Sequence, residues 1–216
     1  MKCTTADYKP GFPSGQRGWT QDPLRKASQV RILPPAPFLT DGCGEINMEI
    51  TQSCHLDIDS ILQLYDEATA LQASKGMSQW PKINRSLVES EIAEKRQWKM
   101  VLQGQIVCVW VVAFEDPQIW GERSLEPSVF IHRIANHPLY RGQGFVGKIV
   151  DWAKDCYSGG DIRFIRLDTV GYNEGLIRVY TNHGFTLLEP IELEDTTGLP
   201  SHYSDAEVYL FEMELE

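Results

Sequence analysis

The feature that most constrains this chain lies past its midpoint. Val129–Asn136 is rich in β-branched and apolar residues and reads as a strand. His137-Pro138-Leu139-Tyr140-Arg141-Gly142-Gln143 leads from it into Gly144–Tyr157, where Phe145, Ile149, Ala153 and Cys156 recur at helical spacing. Ser158-Gly159-Gly160-Asp161 breaks that helix, and Ile162–Thr169 reads as the next strand. A strand–helix–strand unit of this kind forms parallel strands joined by a right-handed crossover. The chain is therefore expected to contain a sheet with a parallel step.

The flanking segments fit one α/β domain from Met48 onward. Glu49–Ser53 reads as a short strand. Asp57 is placed to cap a helix with apolar residues Ile58, Ile61, Leu62, Tyr65, Ala68 and Leu71, which Lys75-Gly76 closes. Ser86-Leu87-Val88-Glu89 has the spacing of a capping box for a second helix, with Ile83, Leu87 and Ile92 nearby. Trp98–Leu102 and Ile106–Phe114 form a predicted hairpin around Gln103-Gly104-Gln105. Asn173–His183 reads as a helix, followed by strands at Phe185–Leu188 and Glu207–Leu215. The predicted order is β-α-α-β-β-β-α-β-α-β-β, a mixed central sheet with helices on both faces.

Residues 1–47 differ from the rest. They hold six prolines, and Leu33-Pro34-Pro35-Ala36-Pro37 favours extended backbone. The stretch is expected to be disordered or to lie outside the natural protein, with the domain spanning 48–216.

Charge narrows the function classes. The net charge is −10, and residues 48–216 carry 14 basic against 26 acidic side chains. Nucleic-acid binding, which needs clustered Lys and Arg, is not expected. No apolar run approaches the ~18 residues of a membrane helix, so no membrane partner is expected. Five scattered cysteines form no Cys-x-x-Cys pair, which argues against a disulfide framework or zinc site and makes a reducing cytoplasm the default. The remaining histidines, His55, His137, His183 and His202, have no ligand-like spacing, and no metal is expected. The sequence leaves a homodimer open.

The loop before the 144–157 helix suits an anion. The first N–H groups of a helix lack internal acceptors, and the helix dipole there favours negative charge. Glycine permits close approach of a diphosphate, and Arg141 supplies a cation. A plain tight turn explains the same glycines. Neither Gly-Lys-Ser/Thr nor Gly-x-Gly-x-x-Gly is present, so a P-loop and a dinucleotide site are unsupported. A second signature is Asn173-x-x-Leu176-x-x-Val179-Tyr180-x-x-x-Gly184-Phe185, on a helix that Asn173 can cap. Core packing alone would account for its Tyr180.

Together, these segments resemble motifs A and B of the GNAT superfamily of acyl-CoA N-acyltransferases. Arg141-x-x-Gly144 is similar to the start of motif A, with Val146 where that motif has Gly or Ala and Gly147 following. The resemblance covers roughly residues 48–216 and is strongest from Val129 to Phe185. It implies acetyl-CoA as donor and an amine as acceptor, by direct attack in a ternary complex. Arg141 and the backbone at Gly142, Gln143, Gly144, Phe145 and Val146 would hold the pyrophosphate. Ile134 and Asn136 would pair with the pantetheine arm, Asn173 would touch it, and Tyr180 would protonate the leaving thiolate. A non-catalytic acyl-CoA-binding regulatory module is the alternative.

The chemistry asks for a base. A primary amine titrates near 10.4, so freeing its lone pair at pH 7 costs about 4–5 kcal/mol. Simple strand alternation puts His132 in phase with Ile134 and Asn136, making it one candidate. Asp168 is the second, to bind a cationic amine or orient His132. The plainer readings are a buried hydrogen-bonded His132 and an Asp168 paired with Arg133 or Arg166. Glu115 and Asp116 are weaker candidates, as turn residues. Trp80 is a candidate wall for the acceptor pocket.

Overall fold

The computed structural model describes residues 30–31 and 47–216. In chain order the elements are β1 (Val30–Arg31), β2 (Asn47–Gln52), α1 (Ile58–Ser74), α2 (Arg85–Ala93), β3 (Gln97–Leu102), β4 (Gln105–Ala113), α3 (Pro117–Trp120) and β5 (Ser128–Asn136). They continue with α4 (Phe145–Tyr157), β6 (Phe164–Val170), α5 (Glu174–Asn182), β7 (Thr186–Leu187), β8 (Ile191–Glu192) and β9 (Glu207–Glu214). The predicted order is recovered, with β1, α3 and β8 as unforeseen short additions. Of residues 1–47, the structure describes Val30–Arg31, which pair with Asn47 and Met48, and Asn47 itself, the first residue of β2. The rest of the reading of that stretch lies outside the described residues.

Among the described residues, one sheet runs β1-β2-β3-β4-β5-β6-β9-β7, with β8 also on β9. The β5–β6 step is parallel and the other pairings are antiparallel. The parallel step is the one spanned by α4, as a crossover requires.

Helices cover both faces. On one face α4 and α5 lie over Trp98, Trp110, Ile131, Ile165 and Phe211. Trp152 of α4 packs 4.6 Å from Trp98 and 5.2 Å from Trp110 between ring centroids. On the other face α1 and α2 bury Ile58, Ile61, Tyr65, Val88 and Ile92 against Val109 and Ala135. Each such aliphatic side chain contributes roughly 1.5–3 kcal/mol by leaving water. Beside them, Ile119, Trp120, Phe130, Tyr203, Val208 and Leu210 form a third cluster around α3.

Several local expectations change. Asp57 takes the N-cap position of α1 but its side chain makes no cap bond; its carboxylate accepts from the Cys54 N–H at 2.7 Å and from Lys99 Nζ at 2.6 Å. The capping box at Ser86 does not form, because α2 begins at Arg85 behind Asn84. Its inner face is consequently Val88, Glu91 and Ile92, while Leu87 is exposed. The helical spacing of α5 that would put Leu176, Val179 and Tyr180 on one face is also altered: Leu176, Ile177 and Tyr180 meet the core and Val179 faces outward.

Candidate active site

The loop entering α4 has the backbone an anion site needs. Gly142 and Gly144 hold φ values of +79° and +71°, and Gly144 occupies the N-cap position in left-handed conformation. A Cβ at either position would be strained. The following N–H groups of Phe145, Val146 and Gly147 have no helical acceptors. Gln143 is different, since its N–H turns back to the Tyr140 carbonyl at 3.4 Å. Arg141 leans across to α1, where its Nη2 donates to the Glu67 carbonyl at 3.3 Å.

Val146, the departure from motif A, turns its side chain into the core beneath α4. Smallness is instead required one residue later. A Cβ on Gly147 would lie 2.5 Å from His183 Nε2, on the residue that closes α5. His183 is held there by a 2.7 Å contact between its Nδ1 and the Val179 carbonyl.

Next to this loop the sheet forks. β5 and β6 pair only at Ser128↔Phe164, Val129↔Ile165 and Phe130↔Arg166. Beyond that point β5 stays on β4 while β6 stays on β9. The edges of β5 and β6 that face each other past the fork lack ladder partners, so an extended ligand can pair there. Asn136, near the loop end of the fork, has a buried Oδ1 with no hydrogen-bond partner. Ile134 packs toward the α4 face.

Strand alternation fails at one residue here. Val111 pairs with His132 and Val109 with Ala135, so Arg133 and Ile134 together oppose Trp110. Arg133 sits at φ +50°, unusual for a residue with a side chain. This β-bulge shifts the phase of the strand. His132 therefore lies on the α1–α3 face with Phe130 and Ala135, opposite to Ile134 and Asn136. The expectation that the three share a face is corrected. The donor-binding candidates are on one side of the split sheet and His132 is on the other.

His132 is joined there by Asp168, two residues past the end of β5–β6 pairing and so on the same face as Arg166, and by Asp116 from the β4–α3 turn. His132 Nδ1 is 3.7 Å from Asp168 Oδ1, and its Nε2 is 3.7 Å from Asp116 Oδ2. Tyr203, in the loop between β8 and β9, donates its hydroxyl to Asp168 Oδ2 at 2.7 Å. Asp168 is thus paired with neither arginine that the plainer reading proposed. Asp116 Oδ2 is buried and has no hydrogen-bond partner.

Burial raises Asp168 to about 6, against the pull of the Tyr203 hydrogen bond. Burial and then the Asp168 charge raise Asp116 to about 7. Burial, then Arg133 and Arg96, lowers His132 to about 4. At neutral pH the imidazole is neutral, Asp168 is mostly ionised and Asp116 is near half-titration. Ligand-type atoms of the three residues lie within 4.8 Å of one another, a grouping that histidine spacing alone did not reveal.

On the α4–α5 face, Tyr180 is buried between Phe185 and Phe211, with centroids at 6.0 and 5.0 Å. Burial, then the Asp168 charge, pushes its phenol pKa upward, so it stays protonated. Asn173 caps α5 by accepting from the Leu176 N–H at 3.1 Å, and its Nδ2 faces Met77 Sδ at 3.4 Å. Both ends of its amide are therefore engaged. Trp80 packs edge-on against Tyr65 at 6.0 Å. Asp116 and Tyr203 were the site residues missed or ranked low. Nothing in their local sequence marks them, because separate loops bring them in.

A family model described as the acetyltransferase (GNAT) family matches residues 66–185, more than half of the chain. The chain belongs to the GNAT acetyltransferase family, an acyltransferase family. An N-acetyltransferase of Bacillus subtilis, YesJ, described as uncharacterized, is 29% identical over 73 residues. That match spans 34% of this chain and 41% of the relative. A GNAT acetyltransferase structure from Listeria monocytogenes superposes with a TM-score of 0.64 at 18% identity, covering 80% of this chain and 97% of its own. One from Streptococcus agalactiae gives 0.63 at 21%, covering 78% and 96%. The Salmonella typhimurium putative acetyltransferase yncA, solved with its cofactor acetyl-CoA, gives 0.54 at 14%, covering 78% and 94%. These likenesses establish the fold. No helix among the described residues is long and apolar enough to cross a membrane.

Proposed function

We propose that this protein transfers the acetyl group of acetyl-CoA to a primary amine by direct attack in a ternary complex. The carrying observation is the fork between β5 and β6, which opens beside the unpaired N–H groups starting α4. The diphosphate would rest on the N–H groups of Gly144, Phe145 and Val146, with Arg141 swinging from Glu67 to meet it. The Asn136 amide and the backbone at Ile134 would take the pantetheine along the β5 edge. Gln143 and Asn173 support the loop and the helix more than the ligand, given the bonds they already make.

The residues divide the proton work between the two faces of the sheet. An amine arriving on the α1–α3 face meets His132, Asp168 and Asp116. The carboxylates of Asp168 and Asp116, whose raised affinities let them hold a proton near pH 7, accept the amine's proton, with neutral His132 lying between them. The freed nitrogen attacks the thioester carbon. The oxyanion is stabilised by a β5 N–H in the gap. Collapse expels the thiolate on the opposite face, where Tyr180 can protonate it.

The first test is thermal melting of the full chain with acetyl-CoA, with dephospho-CoA and ATP as controls. A ligand at ~100 times its Kd adds about 2.7 kcal/mol to stability. A rise confined to acetyl-CoA supports the reading and justifies screening amines for thiol release; no rise sinks it. Tyr180→Phe separates an enzyme from a regulatory binding module. The substitution should slow thiol release about tenfold while leaving acetyl-CoA affinity in place, whereas a module shows no turnover to slow.

A further inference from the structure

Arg133 is a side-chain-bearing residue held at φ +50° in the strand that lines the fork. Its side chain runs to the α1–α2 face, where Nη2 is bonded to Glu91 Oε1. Glu91 is 3% exposed, an unusual place for a carboxylate unless it has a cationic partner. The Arg133 guanidinium also lies 5.5 Å over the ring of the buried Tyr65. Tyr65 donates its hydroxyl to Gln97 Oε1 at 3.0 Å, and Gln97 Nε2 donates to the Trp110 carbonyl at 3.0 Å. Trp110 is the β4 residue opposite the bulge. The chain of contacts thus starts on one side of the irregularity and returns to the other. From Arg133 it passes through Tyr65 of α1 and Gln97 of β3, while Glu91 of α2 holds the guanidinium from a second side.

We propose that Glu91 and Arg133 are a positioning pair that clamps the β5 bulge, and so keeps His132 on the acceptor face while Ile134 and Asn136 face the donor. The inference rests on the acetyltransferase reading for its consequence, although the clamp itself is defined by side chains and backbone alone. A strand without the bulge would carry His132 and Asn136 on one face, leaving either the donor or the acceptor side without its residue. The energetic logic is local. A left-handed conformation at a residue with a Cβ is disfavoured, so a bound side chain has to hold it. The same arginine contributes charge beside His132. The groups facing that imidazole are Asp116 from the β4–α3 turn, Asp168 from β6 with its partner Tyr203, Arg133 with Glu91 behind it, and Arg96 from the turn before β3.

Arg133→Gly is the decisive variant. Glycine adopts φ +50° freely, so it removes the anchor without imposing backbone strain. Glu91→Gln removes the charge at nearly constant shape, and Arg133→Lys is the conservative comparison. On the full chain, calorimetric titration with acetyl-CoA should show Kd at least tenfold weaker for Arg133→Gly and Glu91→Gln, with Arg133→Lys intermediate. NMR should show displaced amide signals for Ile134 and Asn136 in the first two variants, and a His132 titration moved upward in Arg133→Gly as a neighbouring positive charge disappears. Wild-type affinity and unmoved amide signals in Arg133→Gly would overturn the proposal. Should the unaltered protein fail to bind acetyl-CoA, the functional reading falls, and the clamp is judged on amide exchange at Ile134–Asn136. Unchanged exchange in Arg133→Gly would then refute it, and faster exchange would uphold it. If Arg133→Gly does not fold, Glu91→Gln carries the same comparison.

Discussion

The closed and open parts of the fork treat buried charge in opposite ways. At the closed end, Arg166 is fully buried and fully engaged. It bonds Glu126, Glu212 at 2.8 Å, Ser128 Oγ at 2.9 Å and the Arg123 carbonyl, and lies 5.0 Å over Trp120 and 4.5 Å over Phe164. Two residues further on, the open end holds Asp168, His132 and Asp116 at 3.7 Å separations, with Asp116 Oδ2 unpartnered. Arg166 and Asp168 on β6, and Ser128 and His132 on β5, point to the same face of the sheet. A buried ion network that satisfies every donor stabilises one arrangement. One that leaves carboxylates raised and an imidazole lowered stores protonation states close in energy, which suits proton transfer.

The comparison makes three quantitative demands. The largest effect should come from the closed end. Arg166→Met removes a fully buried guanidinium from Glu212, Ser128 Oγ and the Arg123 carbonyl and should cost ~3–5 kcal/mol of stability, read by denaturant unfolding. A loss below ~1 kcal/mol would mean that the two ends do not differ as argued. Next is Asp168→Asn at the open end. It should lower the rate of acetyl transfer about 100-fold, in thiol-release assays with an amine found by screening, and leave the melting temperature no lower than that of the parent. A normal rate would remove Asp168 from the proton path. In the parent, the rate should rise with pH through about 6 as Asp168 ionises.

The smallest effect carries a sign that distinguishes the two ends. Burial lifts Asp116 to about 7 in the folded protein, against 3.8 in the unfolded chain, where burial no longer acts. The native state therefore holds the extra proton between about pH 4 and 7, and Asp116 makes stability fall as pH rises through that window. Asp116→Asn should raise stability by ~1–3 kcal/mol at pH 8 and change little at pH 4, in melts at the two pH values. His132, lowered to about 4, works in the opposite sense between about 4 and 6.5, partly offsetting the carboxylates in the parent. Destabilisation by Asp116→Asn at pH 8 would show that its carboxylate has a partner after all.

Much of this was legible in the chain because local rules sufficed. Gly142, Gly144 and Asn173 occupy the loop and cap positions their chemistry favours, and the hairpin turns at Gln103-Gly104 as expected. Tyr180 falls on the inner face of α5. The misreadings have a common origin. Asp57 and Ser86 had capping-type side chains near helix starts, but Lys99 claimed the first and an earlier start of α2 displaced the second. His132 was placed by a strict two-residue period that one bulge at Arg133 defeats.

By itself the sequence determined the succession of strands and helices, the α/β class and the position of the glycine-rich loop. Each depends on periodicity or on the backbone freedom of a few adjacent residues. Tertiary structure alone decided where β5 and β6 part, which face His132 occupies and that Asp116 and Tyr203 join it. Those outcomes depend on contacts between residues as distant in sequence as Glu91 and Arg133, or Asp168 and Tyr203. A side chain's protonation is set by the charges and burial around it, and that surrounding exists only once the chain has closed on itself.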